Sequence, residues 1–167
     1  MDITRVIFDT NVYGALINEN NYLIIKTRLL NDKSFIIYGF GPIRKELRYI
    51  PKSIKFGNKN TRLFLFNIYD NLTKGRELNN TKEVEDLTKK IYLFYKENGG
   101  IRNWKIIRND FLIVACALIN NLDIIVTNDK RTMLNDKAIK AYKKVVEEEN
   151  LRYPLFCNLN KIKIRFN

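Results

Sequence analysis

The sequence contains no histidine among its 167 residues. Without an imidazole, the acid–base pair of a metal-free ribonuclease cannot be built, and neither can a Ser/His or Cys/His nucleophile–base pair. Zinc, which favours nitrogen and sulfur ligands, is disfavoured for the same reason. Water activated by a hard metal ion is the hydrolytic route that this composition leaves open.

Cysteines and long apolar runs are also scarce. The two cysteines, Cys116 and Cys157, lie 41 positions apart, and Cys116 falls inside an apolar run. This indicates a reducing compartment rather than a disulfide framework or a metal clip. No signal-like segment follows Met1, and no apolar run reaches the roughly 18 residues of a membrane span. We therefore expect a soluble, cytoplasmic protein with no membrane association.

The chain is long enough for one domain, because 46% of its residues are hydrophobic and supply ample material for a core. We expect residues 1–167 to form a single domain in which 132–167 is a C-terminal helix and strand extension. The extension comprises a helix from about Asn135 to Glu149 and strands over Tyr153–Cys157 and Lys161–Phe166.

Positive charge is in excess, with 30 Lys and Arg against 18 Asp and Glu and a net charge of +12. Such an excess favours a polyanionic partner such as nucleic acid, although A/T-biased coding also explains a chain with 22 asparagines. The densest basic stretch, Pro42–Arg62, also contains Tyr49 and Phe56, a combination used for single-stranded RNA. A merely solvated surface is the alternative. The candidate RNA-binding residues are Arg44, Lys45, Arg48, Lys52, Lys55, Lys130 and Arg131.

The first strand, Arg5–Phe8, runs directly into Asp9, Thr10 and Asn11. Burying an unpaired carboxylate there would be costly, which favours a functional Asp9. The alternative is that Asp9 caps the helix Val12–Asn18. Capping explains Asp9 less well because Thr10 and Asn11 stand nearer the helix.

A second strand, Ser34–Tyr38, is followed by turn residues and a helix from Pro42 to about Tyr49. Glu46 lies one turn into this helix. The alternative is that Glu46 has no functional role, is exposed, and forms an ion pair with a neighbouring arginine or lysine. Three further helices are predicted elsewhere: 20–30, with Leu23, Ile24, Leu29 and Leu30 facing inward, 60–71 and 80–98.

The most apolar part of the chain is Phe111–Ile119, which predicts a buried helix with Asp110 in its first turn, near the positive end of the macrodipole. Asp123–Thr127 then predicts a buried strand that ends at Asn128 and Asp129. A helix followed by a strand implies a parallel sheet, whose functional crevice lies beyond the carboxyl ends of the strands.

Three acids thus stand at strand ends or helix starts, Asp9, Asp110 and Asp129, and a fourth, Glu46, lies on the helix that follows the second strand. Gathered in one crevice, they would repel one another strongly unless a cation offset their charge. Because the available ligands are hard oxygens, Mg²⁺ or Mn²⁺ fits this set.

Four motifs together resemble those of the PIN domain family, and they span roughly Ile3 to Arg131. They are FDTN at 8–11, Glu46 within GPIRKEL, Asn109-Asp110 beside an Ala-rich apolar stretch, and VTND at 126–129. The resemblance implies a three-layer α/β/α sandwich with a central, mostly parallel sheet. It also implies a Mg²⁺- or Mn²⁺-dependent endoribonuclease similar to the VapC toxins of toxin–antitoxin pairs.

The family's acidic quartet maps onto Asp9, Glu46, Asp110 and Asp129. In that mapping Asp9, Asp110 and Asp129 bind the metal, and Glu46 orients water or completes the metal shell. Neighbouring polar residues, which would hold the carboxylates in place, are Thr10, Asn11, Thr127 and Asn128. The implied partners are RNA, a small antitoxin and a second copy of the chain. A housekeeping RNA-processing nuclease and a non-catalytic RNA-binding module are the alternatives left open.

Overall fold

The computed structural model describes residues 3–20 and 22–164. Seven strands and eight helices lie within them. The strands are β1 Thr4–Phe8, β2 Phe35–Phe40, β3 Lys55–Phe56, β4 Lys59–Asn60, β5 Glu77–Leu78, β6 Ile124–Val126 and β7 Leu155–Cys157. The helices are α1 Thr10–Ile17, α2 Tyr22–Asn31, α3 Gly41–Tyr49, α4 Thr61–Thr73, α5 Lys82–Glu97, α6 Trp104–Ile119, α7 Asp136–Glu148 and α8 Leu159–Ile164.

Five strands form one sheet in the order β5-β2-β1-β6-β7, and every pairing in it is parallel. The central strand β1 pairs with β2 on one side and with β6 on the other. Its residues Val6, Ile7 and Phe8 are fully buried, as expected for a parallel strand covered on both faces. A separate antiparallel hairpin joins β3 to β4.

The helices form two groups by their contacts. One group comprises α1, α2 and α3 around α4, which also packs on β2; in the other, α5 packs against α6 and α7, and α6 contacts β6. α3 also contacts α6 and so joins the two groups. This arrangement confirms the predicted α/β/α architecture around a parallel sheet. No helix in residues 3–20 and 22–164 is long and apolar enough to cross a membrane.

Gly39 in β2 is required by a close approach of α4. A Cβ atom on Gly39 would lie 2.4 Å from the Tyr69 hydroxyl oxygen. That hydroxyl accepts a hydrogen bond of 2.8 Å from the Phe40 backbone N–H. Tyr69 therefore fixes the end of β2, from which α3 and Glu46 follow.

The structure corrects the predicted start of the most apolar helix. α6 begins at Trp104, because Asn103 caps it by accepting a hydrogen bond of 3.2 Å from the Ile106 N–H. Asp110 consequently lies in the middle of α6 rather than in its first turn. The macrodipole, which acts within the first turn, does not stabilise its charge.

Other differences concern short elements and exposed faces. In α2 the prediction of an inward face was wrong for Leu23 and Ile24, which are 60% and 55% exposed, and Ile25 is buried in their place. It is confirmed for Leu29, which is buried, and for Leu30, which packs partly buried against the core. The predicted strand over Lys161–Phe166 was also wrong, because residues 161–164 belong to α8; Arg165 and Phe166 lie outside the described residues. β7, which lies at the edge of the sheet, confirms the strand predicted over Tyr153–Cys157 in its last three residues.

Candidate active site

Three adjacent strands deliver polar residues to the carboxyl end of the sheet. Asp9 follows β1 directly, Asp129 follows β6, and Glu46 is carried by α3, the helix after β2. Asp110 joins them from α6. We call Asp9, Glu46, Asp110 and Asp129 the acidic cluster.

Asp9 is the most deeply buried acid of the cluster, with only 4% of its surface exposed. Its carboxylate accepts a hydrogen bond of 2.7 Å from the Thr127 hydroxyl and another from the Asn11 side-chain amide. Although Asp9 occupies the N-cap position of α1, its side chain accepts no capping hydrogen bond. Helix capping therefore does not account for this carboxylate.

Glu46 is held by two polar side chains from other helices. Asn109 in α6 donates a hydrogen bond of 2.7 Å to one carboxylate oxygen, and the Thr10 hydroxyl in α1 donates to the other. The neighbouring Arg44 pairs instead with Asp70 at 2.8 Å. The surface ion-pair interpretation of Glu46 was therefore wrong.

Asp129 organises the loop that follows β6. One of its carboxylate oxygens accepts hydrogen bonds from the backbone N–H groups of Arg131 at 2.7 Å and Thr132 at 3.0 Å, and the Thr132 hydroxyl donates to the other. The Asp129 N–H in turn donates to the Thr127 hydroxyl at 3.0 Å. The same loop meets α1, where the Asn128 N–H donates to the Asn11 amide oxygen at 3.1 Å.

The four acids influence one another's ionisation. Burial raises the pKa of Asp9 to about 6, with repulsion from Glu46 and Asp129 adding to it and the Thr127 hydrogen bond opposing it. Burial likewise raises the pKa of Asp110 to about 7, reinforced by the charges of the other three acids. At Asp129, burial is outweighed by the hydrogen bonds from Thr132 and Arg131, so its pKa is lowered.

The residues of the cluster fit a hard divalent cation by their chemistry. All four are oxygen donors, which suit Mg²⁺ or Mn²⁺. A cation would offset the repulsion that raises the pKa of Asp9 and Asp110. Among the described residues, no three acidic, cysteine or histidine side chains converge closely enough to form a ready-made metal site. Asp129, turned onto its own loop, would have to exchange hydrogen bonds to become a direct ligand.

Solved structures with the same fold are known. The chain matches VapBC2 from Rickettsia felis bound to a DNA fragment from its promoter with 17% identity, 93% of this chain and 98% of that one covered, and a TM-score of 0.59. DNA-bound VapBC from Salmonella typhimurium matches with the same identity, coverage and TM-score. FitAcB from Neisseria gonorrhoeae matches with 20% identity, coverage of 80% and 93%, and a TM-score of 0.55.

The chain has the fold of a PIN domain. No protein-family model matches the sequence, and no curated protein resembles it closely enough to be matched. The structural likeness to the VapBC complexes covers more of the chain than residues 3–131, over which the four sequence motifs lie.

Two residues that hold the acids of this PIN fold were missed as contributors by sequence reasoning. Asn109 was noted only as part of a motif, and its contact with Glu46 depends on how α3 and α6 pack. Thr132 follows Asp129 by three positions and donates to it through both its hydroxyl and its backbone. Spacing of this kind is a local signal for a side chain that bonds to nearby backbone, and it could have identified Thr132.

The candidate RNA-binding residues lie on α3, on the segment between α3 and β3, on β3 itself, and on the loop after β6. Most of them are exposed: Lys45, Arg48, Lys52, Lys55, Lys130 and Arg131. Arg44 differs, because its guanidinium pairs with Asp70 and lies 5.4 Å from the Phe66 ring centroid. Arg44 is therefore less available to a phosphate than the others.

Proposed function

We propose that this protein is a divalent-metal-dependent endoribonuclease. The observation that carries the proposal is the convergence of Asp9, which is buried, and Asp110, which is partly buried, beside the carboxyl end of the sheet, where their pKa values are raised to about 6 and about 7. Neither carboxylate has an ion pair with Lys or Arg in the part of the chain that the structure describes. Strongly perturbed acids in a crevice are typical of functional sites.

The roles of the acids follow from their partners. Asp9, Asp110 and Asp129 would hold Mg²⁺ or Mn²⁺, which when bound makes water more acidic and places positive charge beside the scissile phosphate. Thr127 and Asn11 orient Asp9 through their hydrogen bonds. Thr10 and Asn109 present Glu46 so that it can accept a proton from the attacking water or complete the metal shell.

RNA is the proposed substrate because exposed basic residues lie next to two acids of the cluster, Lys45 beside Glu46 on α3 and Lys130 and Arg131 directly after Asp129. If about four to six of these residues contact phosphates, log affinity for single-stranded RNA should fall against log salt with a slope of about −3 to −4. An affinity independent of salt would show that these basic residues do not contact RNA phosphates.

The cleavage test compares the wild type with Asp9→Asn and with Asp86→Asn, a change of an exposed acid on α5. We expect wild type and Asp86→Asn to cleave single-stranded RNA with Mn²⁺ and to stop when EDTA is added. Asp9→Asn should retain its circular dichroism spectrum and lose cleavage. Undiminished activity of Asp9→Asn with saturating Mn²⁺ would reject the proposal.

We further propose a toxin role with a small antitoxin partner and a homodimer. This is supported by the solved VapBC structures, which have the same fold. Expression of the wild type should arrest growth, and Asp9→Asn should abolish the arrest. Full in vitro cleavage without growth arrest would favour the housekeeping nuclease, whereas RNA binding with neither cleavage nor stabilisation by Mn²⁺ would favour a non-catalytic module.

A further inference from the structure

Next to the acidic cluster, α3 and α6 enclose a cleft of about 450 Å³ together with the segment between β5 and α5. This is within the size range of small-ligand pockets. We call it the α3–α6 cleft. Its principal lining residues are Lys45, Glu46, Tyr49, Asn80, Arg108 and Asn109. Because Glu46 also belongs to the acidic cluster, a molecule in the cleft would lie directly beside the proposed cleavage site.

Tyr49 offers an aromatic face in this cleft. Its side chain ends α3 and is 71% exposed, which makes it the one mostly exposed aromatic residue among those described. Other tyrosines, by contrast, are buried in the core, as Tyr13, Tyr69 and Tyr95 illustrate. An exposed ring next to a proposed phosphodiester site is suited to stacking on an unpaired base.

The cleft also carries two cations in different settings. Arg108 donates a hydrogen bond of 2.6 Å to Glu85, and its guanidinium lies 5.8 Å from the Trp104 ring centroid, so it is held in position. Asn80 donates to the same Glu85 oxygen at 2.6 Å. Lys45 is exposed and forms no ion pair within residues 3–20 and 22–164. Glu85 partly offsets the charge of Arg108, as Asp70 does that of Arg44. A phosphate in the cleft would therefore be neutralised mainly by Lys45, with Arg108 beside it as an oriented N–H donor.

The amides of Asn80 and Asn109 add a polar edge. Both side-chain nitrogens donate to carboxylates, Asn80 to Glu85 and Asn109 to Glu46. Each amide also has a carbonyl oxygen that can accept a hydrogen bond. An aromatic face, cationic groups and amide acceptors together match the three parts of a nucleotide.

We propose that the α3–α6 cleft binds one unpaired nucleotide of single-stranded RNA, with its base on Tyr49 and its phosphate on Lys45, beside the Glu85-bound Arg108. The next phosphodiester would then reach the acidic cluster. The identity of the cleft as a substrate subsite rests on the nuclease function proposed above.

The test measures binding in EDTA, where cleavage does not interfere. The probe is a single-stranded RNA pentamer with 2-aminopurine at its centre, and the readouts are affinity and fluorescence quenching. Tyr49→Ala should weaken binding about 5- to 100-fold and reduce the quenching, because stacking on an aromatic residue contributes this much per base. Tyr49→Phe, which keeps the ring, should bind within about twofold of the wild type.

The charge of the cleft is tested with a matched pair of lysine variants. Lys45→Ala should weaken binding and lower the salt slope by about one. Lys140→Ala removes an exposed lysine from α7 and should leave both unchanged. Wild-type affinity and quenching in both Tyr49→Ala and Lys45→Ala would overturn the proposal.

The two proposals fail in different ways. If cleavage depends on Asp9 but Tyr49→Ala binds RNA as the wild type does, the nuclease proposal stands and the nucleotide site in the cleft is rejected. If RNA binding depends on Tyr49 but no cleavage occurs in Mn²⁺, the nucleotide site in the cleft stands and the nuclease proposal is rejected.

Discussion

At the amino end of β6, Asp123 lies between two arginines, whereas at the carboxyl ends of β1 and β6 the carboxylates of Asp9 and Asp129 accept hydrogen bonds from uncharged side chains and backbone N–H groups. Asp123 accepts hydrogen bonds from the Arg5 backbone N–H at 2.6 Å, from the Arg5 side chain at 3.4 Å and from Arg152. Burial opposes ionisation at both ends. At Asp123, the hydrogen bonds and charges of Arg5 and Arg152 outweigh burial, so its pKa is lowered.

The comparison separates a structural acid from a functional one within the same sheet. Asp123 is neutralised by the protein itself and ties β1 to the segment before β7. Asp9 and Asp110 keep raised pKa values because no arginine or lysine is placed to offset their charge among the residues described. A carboxylate left in this state stores unfavourable energy that a bound cation can release.

The largest expected difference between the two ends is in catalysis. Asp110→Asn should lower Mn²⁺-dependent RNA cleavage at least about a hundredfold, because it removes a proposed metal ligand. Losing a ligand should reduce activity more than losing a residue that only orients a ligand, which costs about 10- to 100-fold. Asp123→Asn, the same chemical change at the other end, should cleave at the wild-type rate per folded molecule. Single-turnover cleavage rates should be measured with both variants. An equal loss of activity in the two would contradict a catalytic role specific to Asp110.

The next difference is in the pH dependence of stability without metal. Asp110 titrates near 3.8 when unfolded and near 7 when folded, so the folded state binds the extra proton and the free energy of unfolding falls as pH rises from about 4 to 7. This corresponds to at most about 4 kcal/mol. Asp110→Asn should therefore be more stable than wild type at pH 7.5 in EDTA, and the gap should shrink towards pH 4.

Denaturant unfolding across this range measures the effect. Asp123→Asn serves as the control, because the folded protein lowers the pKa of Asp123 and this carboxyl group therefore stays ionised between pH 4 and 7. Wild type and Asp110→Asn following parallel curves would mean that Asp110 is not strained in the folded protein.

Stabilisation by metal should come next in size. At about one hundred times its dissociation constant, Mn²⁺ would add about 2.7 kcal/mol to the free energy of unfolding, equivalent to about 5–10 °C in melting temperature. The shift should vanish in Asp110→Asn and persist in Asp123→Asn. Thermal scans with Mn²⁺ and with EDTA provide the measurement, and an equal shift in both variants would place the ion away from the acidic cluster.

The smallest effect belongs to the paired end. Asp123→Asn should lower the free energy of unfolding by about 1–2 kcal/mol, because charge-assisted hydrogen bonds to Arg5 and Arg152 are weakened while part of the pair remains hydrated. Lys140→Ala, at an exposed position of α7, provides a neutral reference. Stability of Asp123→Asn equal to that reference would show that the arginine pairing contributes nothing.

Sequence patterns located the acids better than their supports. Asp9 and Asp129 were predicted because each follows an apolar strand, a local arrangement that the structure reproduces. Asp110 was recognised from its motif but placed in a first turn, since the cap at Asn103 is separated from the apolar run by polar and basic residues. The Asn109–Glu46 contact depends on helix packing, which a linear pattern does not contain.

Short and exposed elements were the least predictable. β3, β4 and β5 span two residues each, too few to show a period of two, and their pairing is decided by distant partners. In α2, consecutive apolar residues from Leu23 to Ile25 gave no clear face, and packing selected Ile25 for burial.

Arg108, Asn109 and Asp110 are consecutive residues of one continuous helix. Arg108 and Asn109 line the cleft, Asn109 also donates to Glu46, and Asp110 belongs to the acidic cluster. Successive side chains on a helix diverge by about 100°, so this turn of α6 faces both the cleft and the cluster. If the cleft binds RNA as proposed, a shift of α6 by even part of a turn would move the partners of the nucleotide and a proposed metal ligand together.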